Sequence, residues 1–384
     1  MYLNKTDKIQ YAKQVKNIRG VQFSILFIIL FIFICCQNNA LIVDAPINSN
    51  PEENTYLEAY QQNFDTIKLQ ALVTKIINGN FGDVHSLIIS RNNHIVLEEY
   101  FNGYDRDRLH RLYSATKSVT SALMGVFIDN NLGSLDEKVL AFFPEYTSIN
   151  NSSVEKENMT LENVLTMSAG FEWDEWSYPY RHPNNSATIL WESNDMIKHM
   201  LDLPLAHVPG SHFTYNSGCS ILLSGIIRNR SGQSAEQYAS TELFSKIGIE
   251  NWDWWHGNDG LTWTSGELHL KPIDMLKFGQ LYLNKGDWND AQIISENWIE
   301  TSTSSHIQIT DYNNYGYHWW TYSSEHPVYD IATEDIYYAI GHAGQFIWIV
   351  PHLDMVIVST AGNENFTRKS EPILWWDILP AVND

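Results

Sequence analysis

Ser114-Ala115-Thr116-Lys117 stands directly ahead of a long apolar helical pattern, and the reading of the whole chain turns on it. A serine and a lysine three residues apart on a helix project from the same face, one turn from each other. From there a lysine amine can take the serine's proton, provided that burial and its neighbours keep the amine neutral. The spacing alone discriminates poorly, because Ser153-Val154-Glu155-Lys156 repeats it in a polar, charge-rich stretch. Behind Ser114, by contrast, Val119, Ala122, Leu123, Val126 and Phe127 make a buried helical stripe that stops at Asn131-Leu132-Gly133. Ser114 is therefore expected on the first turn, where free backbone N–H groups and the helix dipole favour negative charge. That suits a nucleophile whose carbonyl adduct becomes an oxyanion.

Two later segments extend the pattern. Phe213-Thr214-Tyr215-Asn216-Ser217-Gly218 precedes a second apolar helix, Ile221 to Ile227, and Gly341-His342-Ala343-Gly344-Gln345 opens a strand. Taken in order, S-x-x-K, Y-x-N/S and H-x-G on a C-terminal strand resemble the serine β-lactamase and penicillin-binding D,D-peptidase superfamily. The flanks extend the resemblance from about residue 65 to 380, through "LDEKVLAFFPEY", "LTMSAGF", "VPGSHFTYNSG", "DMLKFGQLYLNKG" and "GHAGQFIWIVPHLDMVIVSTAGN". His-x-Gly occurs only at His342.

The resemblance implies a β-lactamase/transpeptidase-like α/β (α+β) fold, an antiparallel sheet flanked by helices with an inserted, mainly helical region. It implies Ser114 as acylated nucleophile, Lys117 as its proton acceptor and Tyr215 as proton relay to the leaving group and later to the deacylating water. The backbone N–H groups of Ser114 and Gln345 would form the oxyanion hole. His342 and Gly344, of the third motif, are expected against the substrate.

The third motif departs from the Lys-Thr-Gly of β-lactamases, whose cation and hydroxyls hold the antibiotic's carboxylate. Here Ala343 has no side-chain hydrogen bond to offer and a neutral His342 is a weaker anchor than lysine. Losing that grip costs discrimination, and no Glu-x-x-x-Asn element supplies a class A deacylation base. Tyr-Asn-Ser with a Gly-x-Gly-Gln-like strand is instead similar to the 6-aminohexanoate-dimer hydrolase and carboxylesterase branch. In that branch a loop after the "LTMSAGF"-type segment covers the site. Here it reads Phe171-Glu172-Trp173-Asp174-Glu175-Trp176-Ser177-Tyr178-Pro179. Trp173, Asp174 and Tyr178 are its candidate substrate contacts, against the equal alternative of a solvated acidic loop with packing tryptophans. Trp252, Trp254 and Trp255, beside His256 and Asp259, are expected to form a satellite packing cluster.

The expected activity is hydrolysis of a small-molecule ester or amide through a Ser114 acyl-enzyme. The alternatives are a D,D-peptidase or β-lactamase, and a non-catalytic envelope binding protein of the same fold. No HExxH or other ligand spacing appears among the 14 histidines, so neither metal nor other cofactor is expected. A net charge of −21 argues against nucleic acid as a partner.

The rest of the chain supplies organisation. Lys5, Lys8, Lys13, Lys16 and Arg19 precede an apolar run from Ile25 to Cys36, which is short for a spanning helix and fits an export signal. Residues 1–36 are read as a signal, anchor or lipoprotein signal segment, 37–60 as a tether, and 61–384 as the hydrolase domain. The protein is thus expected to be exported: periplasmic or in the cell envelope, held by its N-terminal segment or a lipid, or secreted. Cys219 is the one cysteine outside that segment, so no disulfide is expected within the domain. A helix is predicted from Phe64 to Ile76. Hairpins are predicted over Ser86–Ser90 with Ile95–Tyr100 and over Gln345–Val350 with Met355–Ser359, and an amphipathic segment over Glu371–Leu379.

Overall fold

The computed structural model describes residues 51–322, 336–365 and 367–383. Two hairpins lie side by side in an eight-stranded antiparallel sheet. In chain order its strands are β1 (Val84–Arg91), β2 (His94–Tyr100), β3 (Ile307–Gln308), β4 (Asn313–Tyr315), β5 (Trp320–Tyr322), β6 (Tyr337–Gly341), β7 (Gln345–Val350) and β8 (Met355–Ala361). Their spatial order is β2-β1-β8-β7-β6-β5-β4-β3. The sheet thus joins an N-terminal hairpin to C-terminal strands, with the helical region inserted between them. The first hairpin turns at Asn92 and Asn93, with φ of 50° and 61°. Asparagine tolerates that left-handed conformation, and a turn of this hand matches the strand twist. Asp354, at 47°, closes the second hairpin.

The central strands read as unbroken apolar runs because both faces of the sheet are covered. Side chains alternate along β7: Phe346, Trp348 and Val350 enter one core, while Ile347 and Ile349 enter the other. The smaller core receives α1 (Pro51–Gln61), α2 (Thr66–Ile77) and the C-terminal helical turns that follow Glu371. In α2 the buried face is Leu69, Leu72 and Ile76, while Ile67 is exposed. Residues 51–60 of the stretch read as tether are helical, and Ala59 is buried in this smaller core. The signal segment and the rest of the tether lie outside the described residues. Among the described residues no helix is long and apolar enough to cross a membrane.

The larger core holds the inserted region, built around α3 (Thr116–Asp129) and α4 (Ser217–Ser231), with α5 (Pro272–Leu283) against the sheet. The apolar stripe understates how deeply α3 lies, since every residue from Thr116 to Phe127 is buried. A helix enclosed on all sides must satisfy its polar groups internally. Ser118 donates to the His318 carbonyl at 2.7 Å and Thr120 to the Thr264 carbonyl at 2.9 Å.

Candidate active site

Ser114 lies in a single 3₁₀ turn, Tyr113–Ala115, that runs straight into α3. Tyr113 before it is held at φ 48°, a left-handed conformation that a bulky residue adopts only where its surroundings impose it. Its ring is fixed by the Arg111 guanidinium 4.1 Å away and by a 3.2 Å hydrogen bond from its hydroxyl to Glu364. Lys117 follows one turn later with its Nζ 3.2 Å from the Ser114 hydroxyl. Burial pushes the Lys117 amine down to about 8, against the partial opposing pull of Glu175 and Cys219. Desolvation disfavours the charged form, and here it brings a lysine within reach of neutrality near physiological pH.

The same spacing has another outcome at Ser153. That serine caps a short helix, accepting from the Lys156 backbone N–H at 3.2 Å. The Lys156 amine turns to the carbonyls of Asn150, Leu201 and Leu203 at 3.1, 2.9 and 2.6 Å. It clamps a loop and leaves the serine alone.

Tyr215 arrives from the N-terminal side of α4. Asn216 caps that helix, accepting from the backbone N–H groups of Gly218 and Cys219 at 2.8 and 3.2 Å. This fixes the chain so that the Tyr215 phenol lies near the Ser114 hydroxyl, with the Lys117 Nζ 4.9 Å from its ring centroid. Burial first, and Glu175 second, drive the Tyr215 phenol well above its ordinary value, so it stays protonated. Ser217 faces Lys117 directly, Oγ to Nζ at 3.2 Å, and the Ser265 carbonyl takes a third amine hydrogen bond at 2.7 Å.

The third motif reaches Ser114 through backbone packing. Gly341, last in β6, abuts the Leu112 carbonyl so closely that a Cβ would collide with it. The β6–β7 turn thus sits beside the nucleophile turn, with Ala343 at φ 64° and Gly344 at φ 100°. Gly344 is buried against Ser370 and Ala361, which leaves it a turn-forming position. The Gln345 side chain is fully engaged inward, donating to His342 and Ala361 carbonyls at 3.0 and 2.7 Å. Only its backbone remains to face a substrate. His342 stands at the mouth, its Nε2 2.9 Å from Glu364, with Tyr113 and Tyr180 edge-on to its ring.

The covering loop places its residues differently from the expectation. Trp173 is half-buried and points its indole N–H at Glu175, 2.9 Å away. Asp174 is exposed and accepts from the Trp176 and Ser177 backbone N–H groups at 3.1 and 2.9 Å, which holds its carboxyl below the usual range. Tyr178 stacks on His182, 4.5 Å between centroids. The loop residue beside Tyr215 is Trp176, at 5.2 Å and largely exposed, and the carboxylate that enters the site is Glu175. Glu175 meets Ser217 across 42 positions of chain, so no local pattern marks it. Ser217 was visible as the third residue of the Tyr-Asn-Ser motif.

The second aromatic cluster packs only in part, with Trp254 buried, Trp252 partly buried and Trp255 exposed. The Trp254 indole is buried and donates to the Trp263 carbonyl at 2.9 Å, and His256 pairs with Glu236. Among the described residues no group of three or more His, Cys, Asp or Glu is arranged to hold a metal ion.

These relationships agree with comparisons to known proteins. The beta-lactamase family profile matches residues 83–379. The 6-aminohexanoate-dimer hydrolase of Paenarthrobacter ureafaciens is 23% identical over 292 residues, covering 71% of each chain. A Bacillus anthracis protein provisionally assigned as a 6-aminohexanoate-dimer hydrolase superposes with a TM-score of 0.67 at 25% identity, covering 79% of both chains. An octameric penicillin-binding protein homologue from Pyrococcus abyssi shares the fold, with a TM-score of 0.65 at 18% identity over 81% of this chain and 77% of its own. With the profile spanning most of its length, the chain belongs to the beta-lactamase family and is an enzyme of the serine hydrolase class.

Proposed function

We propose that this enzyme cleaves an ester or amide bond in a small molecule through an acyl-enzyme on Ser114, in the manner of 6-aminohexanoate-dimer hydrolases and esterases. The observation that carries the reading is the buried Lys117 amine, 3.2 Å from the Ser114 hydroxyl and depressed to about 8. Neutral Lys117 accepts the Ser114 proton as Oγ bonds to the carbonyl carbon. The backbone N–H groups of Ser114 and Gln345 receive the oxyanion. Tyr215, kept protonated by its surroundings, gives its proton to the departing alcohol or amine, balancing the one Lys117 has collected. Water then attacks the acyl carbon and gives a proton to the Tyr215 phenolate, Lys117 returns its proton to the departing Ser114 oxygen, and the acid is released. Trp176, beside Tyr215, is the loop residue placed to line the acyl side, and His342 stands at the mouth.

The pairing of His342 with Glu364 supports this reading over a penicillin-directed one. The position where β-lactamases present a cation to a substrate carboxylate here carries a carboxylate of its own, 2.9 Å from the ring. We further propose that residues 1–36 export the chain and residues 37–50 tether the domain. The activity test uses a form beginning near residue 45, assayed on short-chain p-nitrophenyl esters, on 6-aminohexanoate dimer and on a chromogenic penicillin. Turnover of ester or amide that disappears in Ser114→Ala supports the proposal. Penicillin turnover exceeding both would replace it with the β-lactamase reading.

A further inference from the structure

Resting on the Ser114–Lys117 chemistry just proposed, the hydrogen bonds around Glu175 carry a conclusion about which way the lysine lone pair points. Glu175 is buried, and four donors converge on its carboxylate. Oε1 accepts from the Ser217 hydroxyl at 2.6 Å and from the Tyr180 hydroxyl at 2.8 Å. Oε2 accepts from the Ser217 backbone N–H at 2.8 Å and from the Trp173 indole at 2.9 Å. An ionised carboxylate can only accept, so the one proton of the Ser217 hydroxyl is committed to Glu175. Ser217 is therefore left with lone pairs alone to show Lys117, 3.2 Å away. The Ser265 carbonyl, 2.7 Å from the same amine, can likewise only accept.

The donor count then closes. As an ammonium, Lys117 has three N–H groups for three acceptors: Ser265, Ser217 and Ser114. When it loses a proton, two of those partners still require an N–H. The lone pair must appear opposite the third, the Ser114 hydroxyl, which alone can reverse and donate. We infer that Glu175 is a positioning residue that, by fixing the Ser217 hydroxyl as an acceptor, aims the Lys117 lone pair at Ser114. Hydrogen-bond polarity propagates along the chain Glu175–Ser217–Lys117–Ser114, although Glu175 itself touches no reacting atom.

Glu175→Gln tests this by reversing polarity with little change in shape. The backbone N–H of Ser217 and the indole of Trp173 cannot become acceptors, so the glutamine oxygen must face them. Its NH₂ then faces the two hydroxyls, and Ser217, now accepting from Gln, turns its own proton toward Lys117. There it competes with Ser114 for the lone pair. In the same soluble form, kcat for a p-nitrophenyl ester should fall by about 100-fold, the lower end of a general base's contribution. Ser217→Ala removes an acceptor without creating a competing donor, and should lose no more than about tenfold. The double variant Glu175→Gln/Ser217→Ala should recover to the level of Ser217→Ala, because the redirected proton no longer exists. Recovery in the double variant is not expected of a residue that merely holds the loop.

Glu175 also raises the Lys117 value, in company with Cys219, while Tyr215 and His318 lie close to the amine. The acid limb of kcat/KM in Glu175→Gln should accordingly move to lower pH while its plateau falls. If Glu175→Gln keeps wild-type kcat, or if the double variant is as slow as Glu175→Gln alone, the inference is overturned. Should Glu175→Gln not fold, Ser217→Ala still decides, because loss as complete as in Lys117→Ala would make Ser217 a proton carrier and overturn it. Ser114→Ala runs beside them: turnover surviving there defeats the acyl-enzyme reading itself, a result distinguishable from failure of the Glu175 inference.

Discussion

At the scale of single residues, the proposed chemistry rests on a lysine whose burial favours the free amine. Burial draws Lys117 toward the free amine because nearly all its surroundings are protein, and the cost of that burial is a measurable property of the fold. Its value of about 8 lies below the 10.5 of a free lysine. Between those two values the unfolded chain binds more protons than the folded one, so stability rises with pH across that window and the penalty is fully present below about 8. The contribution amounts to about 3 kcal/mol at about 1.4 kcal/mol per pH unit. Urea unfolding at pH 8 and pH 10 should show this rise in the wild type and lose that share of it in Lys117→Met. The same value predicts that kcat/KM for ester hydrolysis climbs with pH along a limb centred near 8. A rate flat from pH 6 to 9 would remove Lys117 from the role of base. Tyr215 behaves oppositely: burial beside Glu175 keeps its phenol protonated, so Tyr215→Phe should slow reactions with poor leaving groups far more than p-nitrophenyl esters.

At the scale of elements, the site is assembled from the ends of secondary structures: a 3₁₀ turn before α3, the cap of α4, the β6–β7 turn and one covering loop. The covering loop is pinned by Asn185. Its side-chain oxygen caps the helix Ser186–Trp191, accepting from Ala187 and Thr188 N–H groups at 2.9 and 3.3 Å. Its amide donates back to the Tyr178 and Glu175 carbonyls at 2.8 and 3.2 Å. Asn185→Ala should cost about 2 kcal/mol, combining a lost cap with buried carbonyls left unpaired, read as a lowered urea midpoint. It should also raise KM, because the loop bearing Glu175 and Trp176 loses its anchor. Gly341→Ala should be more damaging still, since its Cβ meets the Leu112 carbonyl and pushes the oxyanion-side turn away from Ser114. An unchanged kcat in that variant would contradict the placement of β7 beside the nucleophile turn.

At the scale of the whole molecule, the sequence carried the fold through its motif order and its hairpins. Asn92-Asn93 and the Pro351–Asp354 turn are local chemistry, and the apolar runs beside them announce a doubly covered sheet. It carried the site as far as residues on one element or in one motif reach: Ser114 with Lys117, and Tyr215 with Ser217. What it did not reveal is contact across distance. Asp174 and Glu175 are adjacent and equally acidic in composition, yet one is exposed in a turn and the other buried against a serine 42 positions away. Only the packing of the loop onto α4 separates them. The burial of α3 on every side was similarly hidden, because Ser118 and Thr120 look like a solvent face until the carbonyls of His318 and Thr264 that bind them are in place. The proposed export segment is tested at this same scale. Expressed with its first 36 residues in a bacterial host, the protein should fractionate with the envelope, and a form starting near residue 45 should remain in the soluble fraction. Equal solubility of both would contradict the tether, and retention of the full-length form in the cytoplasm would contradict the export proposal.

The central claim is that Ser114 is an activated nucleophile, and intact-mass measurement after treatment with a fluorophosphonate serine probe tests it most directly. The account predicts one adduct per chain in the wild type, none in Ser114→Ala, and slow or absent labelling in Lys117→Ala. Labelling that persists in Ser114→Ala, or a wild type that takes no adduct while hydrolysing esters, would contradict it.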